Sequence, residues 1–230
     1  VGLMPFVELQ TNIKHNTLEA LYADNPYIDY LAMQGTFGKM ASTRSYDLHF
    51  GIMGTDRASK LAYRVYLGGN FMRDQMLWFM NEYGTFGFDQ NSNIRLFVGA
   101  EVEYHPVGGL KLAANVRAHS DNTQSQYEVS DARLTAGISA DYRLKRWKFN
   151  VAGDFVGARR WSGAELEGGA VPLAFTAPAY FNLKANVAFK VTNTIEAYVD
   201  GYNLLNQQMF SEPYYTDRGL TCLVGVKMDF

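Results

Sequence analysis

The chain has a single cysteine, Cys222, among its 230 residues. That excludes an intramolecular disulfide and any cysteine-built metal cluster. Charged residues make up only 19%, and the net charge is -2. No basic footprint for nucleic acid is left by such a balance. There is no apolar run of about 18 residues, so no membrane-spanning helix is expected. The opening VGLMPFVELQ carries no positively charged segment and soon turns polar, so it is not read as a secretory signal. Phosphate loops, dinucleotide fingerprints and zinc spacings are missing. DNTQSQYEVSD (121–131) is acidic and polar but lacks the calcium-loop spacing. His119, Ser120 and Asp121 have the residue types of a hydrolytic triad, yet neighbours on a strand point opposite ways. The chain is therefore read as a non-enzyme, with no catalytic residue, cofactor or metal.

What is abundant is the aromatic side chain, at 14% with 15 Tyr and 15 Phe, and a period of two. In 94–105, Ile94, Leu96, Val98, Ala100, Val102 and Tyr104 alternate with Arg95, Glu101, Glu103 and His105. Leu134, Ala136, Ile138, Ala140 and Tyr142 likewise oppose Arg133, Thr135, Ser139, Asp141 and Arg143. The last stretch, TCLVGVKMDF, sets Cys222, Val224, Val226, Met228 and Phe230 against Lys227 and Asp229. Counting all such segments gives about ten strands, each with one wet and one dry face. Most come near the 9–11 residues that a tilted strand needs to cross a bilayer, where globular strands run to roughly 5–6.

The connections alternate in length. Short ones fall at 55–60, 105–109, 143–146 and 192–194, and long ones at 15–44, 74–92, 119–131, 158–178 and 203–218. Spanning barrels put short turns on the periplasmic side and long loops outside. Tyr46, Tyr104, Tyr142, Trp147, Phe181, Phe189 and Phe230 sit toward strand ends on the apolar faces, the pattern of an interfacial girdle. The fold expected is all-β: a transmembrane antiparallel up-and-down β-barrel of about ten strands, one domain over 1–230. It would lie in the outer membrane of a Gram-negative bacterium, with lipid as its first partner. A soluble ligand-binding barrel also alternates, with its faces inverted. A small structural or pore-like barrel fits the same pattern.

The final 50 residues carry more. Asn203, Leu204, Leu205 and Asn206 form an N-L-x-N element after the next-to-last strand. Pro213, Tyr214 and Tyr215 follow in a loop, and Arg218 and Gly219 open a last strand that alternates to Phe230. This resembles the C-terminal barrel region of TonB-dependent outer-membrane receptors. Upstream, PFVELQTNIKHNTLEALYADNPYI is similar to their strand and helical outer loop. The resemblance implies uptake of a scarce nutrient, driven by a TonB-type energy coupler through an N-terminal plug. Neither a plug nor a coupling segment is recognised in this sequence. The family's barrels have roughly twenty-two strands, so the chain is expected to be the C-terminal portion of a longer receptor.

Ligand contacts are expected in the outer loops, at Trp78, Phe79 and Tyr83, at Arg159, Arg160 and Trp161, and at Tyr214 and Tyr215. Exposed aromatic clusters mark interaction, and Arg beside Trp suits anions or glycans. A surface lipoprotein is a further partner for these loops. Val226, Met228 and Phe230 are expected to form the terminal signal read by the barrel-assembly machinery, as the resemblance implies.

Overall fold

A computed structural model describes residues 2–29, 39–56, 58, 60–81, 85–163 and 174–228. Tyr83 and Phe230 lie outside the described residues. Ten strands make an antiparallel meander: β1 (Gly2–Lys14), β2 (Thr43–Thr55), β3 (Leu61–Met80), β4 (Phe86–Tyr104), β5 (Leu110–Thr123), β6 (Leu134–Leu144), β7 (Trp147–Val156), β10 (Tyr180–Lys190), β11 (Ile195–Tyr202) and β14 (Thr221–Met228). β8 (Arg159–Gly163) and β9 (Phe175–Ala177) form an excursion between β7 and β10. β12 (Phe210–Glu212) and β13 (Tyr215–Thr216) pair as a small separate hairpin. The path begins on β1 and ends on β14, and these two edges are not hydrogen-bonded to each other among the described residues. The expected up-and-down order is therefore observed, as an open wall.

The two faces of this wall differ in the way the alternation requires. On one face Val7, Leu67, Leu96, Ile138 and Val224 are exposed, Val224 by 74%. An apolar face running over ten strands far exceeds what a soluble protein exposes. Such a face suits lipid, since antiparallel pairing also satisfies the backbone from strand to strand inside the sheet. At the short-turn end of this face Tyr142, Trp147, Phe149 and Phe189 gather, with Trp147 and Phe189 centroids 4.6 Å apart. That is the girdle the sequence pattern points to.

The opposite face pairs its charges between strands. Lys111 meets Glu103 at 2.7 Å and Lys184 meets Asp154 at 2.7 Å. Lys148 in β7 reaches Glu196 in β11 at 2.5 Å, crossing β10 where the register puts only Ala188 opposite Lys148. Arg64 in β3 reaches Glu8 in β1 at 2.8 Å and lies over the Phe6 ring. Between β3 and β4 two pairs are reciprocal: Tyr66 faces Gly99, and Gly68 faces Phe97. A Cβ on Gly99 would come within 2.4 Å of the Tyr66 ring. Each ring thus lies flat across the glycine opposite, covering backbone that a side chain would otherwise cover.

Local chemistry explains the strand ends. Asp56 accepts from the backbone N–H groups of Lys60 and Leu61, at 2.6 and 3.0 Å, and so closes the β2–β3 turn. The Leu61 N–H, above all, holds its carboxyl below the usual value. At the other end of the wall, Asn203 and Asn206 take left-handed φ values of 50° and 48°, a region that asparagine enters more readily than most residues. The Asn203 side chain is fully buried. It donates to the Gln207 and Arg218 carbonyls and accepts from the Gln207 N–H. Asn206 accepts from the Leu220 N–H at 3.0 Å. The N-L-x-N element is thus a clasp that ends β11 and aims the chain into β14.

One expected loop is different. The spacing predicts a long connection over 74–92, in which MLWFMNEY (76–83) either prolongs a strand or packs as a loop core; most of these residues continue the β3–β4 ladder, which reaches Met80 and Phe86. A bulge between Met72 and Gln75, with Asp74 at φ 56°, marks where the hairpin leaves the wall and rises above it.

Candidate ligand-binding site at the outer end of the wall

Above the bulge the molecule changes character. Helix α1 (Leu18–Asp24) starts at Thr17, whose hydroxyl accepts from the Ala20 N–H. Its Leu21 is buried with Ile28 and Phe88, and Met40, Met76 and Trp78 pack around them. The chain after the helix lies along the hairpin tip: the Phe86 N–H donates to the Tyr27 carbonyl, and the Asp29 N–H to that of Phe86. β8 pairs in parallel with the end of β3, at Phe79 and Met80. A second apolar cluster follows, of Met80, Phe86, Trp161 and Ala177, with Tyr27, Phe175 and Phe210 against it.

Aromatic contacts extend this cluster to the last outer connection. Tyr27 stacks on Tyr215 with centroids 3.7 Å apart. Phe175 meets Phe210 at 5.2 Å and Tyr214 at 4.7 Å. The connection after β1 and the one before β14 come from opposite edges of the sheet, so their contact draws the outer ends of the wall together.

The expected site residues divide accordingly. Trp161 is buried, 2% exposed, as a core side chain of the cluster. Arg159 lies 4.8 Å over its ring and donates to the Phe210 carbonyl. The Trp161 indole N–H donates to Glu212, whose carboxyl is pushed up to about 7, chiefly by burial and against the nearby Arg159 charge. Trp78 packs edge-on to Phe88 at 6.0 Å. Phe79 stacks on Tyr127 at 4.4 Å, beside a cavity of about 460 Å³ that Asp89 and Gln124 also line. Tyr214 is 65% exposed. Arg160 is exposed and stands 3.9 Å from Glu128. Val226 and Met228 are exposed on the apolar face of β14, far from this mouth.

Tyr27, Tyr127, Phe175, Phe210 and Glu212 were not singled out from the sequence, although the cluster depends on them. His119 and Asp121 do share the inner face, 3.3 Å apart. Asp121 is held there by Arg95 at 2.8 Å and Asn93 at 2.7 Å. Strand parity puts Ser120 on the other face, so no triad forms.

A two-faced antiparallel wall, with plain turns at one end and a packed aromatic mouth at the other, defines the outer-membrane β-barrel fold. Solved structures share it. The copper transporter OprC superposes with a TM-score of 0.65 at 14% identity, over 99% of this chain and 37% of its own. The pyoverdine receptor FpvA from Pseudomonas aeruginosa PAO1, bound to pyoverdine, gives 0.68 at 11% identity, over 99% of this chain and 34% of its own. The siderophore receptor PirA from Acinetobacter baumannii gives 0.66 at 15% identity, over 83% of this chain and 32% of its own. The chain thus spans about a third of the length of these structures. No family model and no curated protein matches it. The resemblance read from the last 50 residues therefore meets the same fold over nearly the whole chain.

Proposed function

We propose that this chain is a ten-strand stretch, C-terminal in position, of the wall of a TonB-dependent type receptor in a Gram-negative outer membrane. The receptor takes up or binds a nutrient at its outer mouth. One observation carries the reading: a wall with a lipid-suited face and a charge-lined face is topped by outer connections packed into a defined mouth. Likeness in fold to a copper transporter and a pyoverdine receptor over 99% of the chain supports it. Its two open edges fit a stretch of a larger barrel. On this reading Tyr214 and Arg160 offer exposed contacts, half-buried Phe79 lines the cavity beside them, and a plug elsewhere in the receptor engages the energy coupler. A surface lipoprotein would meet the same mouth, and the assembly machinery would read Val226, Met228 and Phe230.

The test is the full receptor expressed in Gram-negative cells. It should fractionate with the outer membrane, resist SDS when unheated and change mobility on boiling. A protein that stays soluble without detergent overturns the proposal. Steady single-channel conductance in a planar bilayer would replace the plugged receptor with an open pore.

A further inference from the structure

The mouth contains a basic recess that the aromatic cluster does not use. It measures about 240 Å³ and lies where the top of β6 meets β8, β9 and the connection after β5. Arg133, Arg159 and Arg160 line it, with Thr176, Glu128 and Asp131. Three cations and two carboxylates do not cancel, and the partners already made sharpen the imbalance. Asp131 is taken by Arg95 at 2.7 Å. Arg159 is spent on the Phe210 carbonyl and the Trp161 face. Glu128 stands 3.9 Å from Arg160 and forms no hydrogen bond with it among the described residues. Arg133 is exposed, its backbone carbonyl accepts from the His119 N–H, and its guanidinium makes no hydrogen bond or ion pair among the described residues. The unpaired Arg133 guanidinium, the Arg160 guanidinium with only this long ion pair to Glu128, and the Thr176 hydroxyl therefore face one small recess.

We propose that Arg133, Arg160 and Thr176 form a subsite for an anionic group bearing phosphate or carboxylate oxygens. This deepens the receptor reading and rests on it. Guanidinium is planar and presents paired donors that match two oxygens of such a group at once. The recess is smaller than the roughly 300–1,000 Å³ that holds a whole drug-sized ligand. It therefore takes one charged arm and leaves the body of the ligand to the aromatic mouth. The anion comes either from a soluble nutrient or from a lipid headgroup at the membrane rim.

Arginine footprinting separates these sources. The full receptor is treated with phenylglyoxal and mapped by mass spectrometry, in lipid-free micelles with or without inorganic pyrophosphate or citrate. The same is done in nanodiscs of phosphatidylcholine, with and without phosphatidylglycerol. Protection of Arg133 and Arg160 by a soluble anion supports the subsite and names a solute. Protection only with phosphatidylglycerol supports it and names a headgroup. Calorimetry with the protecting anion should show Arg133→Gln and Arg160→Gln each weakening binding by about tenfold or more. Lys145→Gln, in a turn at the far end, should leave binding unchanged. The inference is overturned if neither source protects the two arginines, if Arg133→Gln and Arg160→Gln both bind as the parent does, or if Lys145→Gln weakens binding equally. None of these outcomes touches heat-modifiability or membrane fractionation, which test the receptor reading by themselves.

Discussion

The wall and the mouth of this molecule are built by different rules. In the wall each residue answers to one question, whether its side chain meets lipid or lumen, and the answer alternates along every strand. In the mouth side chains are buried from both sides by other segments of the chain. β4 shows the change within one strand: Phe86, Gly87 and Phe88 are all buried, whereas further along exposed Ile94, Leu96 and Val98 alternate with the covered Arg95, Phe97 and Gly99. The wall is held by local pairing and solvent matching, and the mouth by long-range packing.

The largest effect expected separates the two regions outright. Trp161→Ala removes a buried ring at the centre of the mouth, a change that costs about 3–5 kcal/mol. It should open the outer end to limited proteolysis while the barrel keeps its heat-modifiable mobility. Loss of that mobility would show that wall and mouth fold as one unit. Next comes the wall's own rule. Ile138→Lys puts an ammonium on the lipid face at mid-strand, at a cost of about 2–4 kcal/mol. Ser139→Lys, one residue on and facing the lumen, should assemble normally. Equal assembly of the two, scored by mobility shift, would contradict the assignment of faces. Gly99→Val drives a side chain into the Tyr66 ring. About 1–3 kcal/mol should be lost on urea unfolding in detergent, and Tyr66→Ala in the same chain should recover part of it.

A pH series sharpens the contrast further. Glu212 binds its proton more tightly in the packed mouth than in an opened one, so the mouth should be tightest below about pH 4.5. It should loosen as pH rises toward about 7. Glu212→Gln should flatten that dependence in proteolysis of the outer end, and the wall should show no matching trend. Smallest of all, Glu196→Gln breaks the lumenal pair with Lys148, whose members keep access to water. A loss under about 1 kcal/mol is expected.

The same division explains what the sequence discloses. All ten wall strands can be read from it, since a period of two survives wherever one face stays apolar. Trp147 and Phe189 are legible as a girdle for the same reason. MLWFM, by contrast, has no period, because both faces of the rising hairpin are covered, and so it reads as a loop. β8, β9, β12 and β13 are too short to show a pattern. Arg159, Arg160 and Trp161 stand out by type, but their division into a tether, an exposed cation and a buried ring depends on Phe210 and Glu212. Those partners lie about 50 residues away and give no local signal. Arg133 was read only as one more lumenal charge of β6, and its place in the recess comes from the loop folded above it.

The stack of Tyr27 on Tyr215 joins residues separated by most of the chain. Its neighbours in the wall can zip hairpin by hairpin, each closing a short loop, whereas this contact waits until the last strand is in place. Packing of the mouth is therefore expected to follow the pairing of the wall. A chain halted one hairpin short would present a sound-looking wall and an unpacked aromatic surface, and the cell could read that surface as the mark of an unfinished molecule.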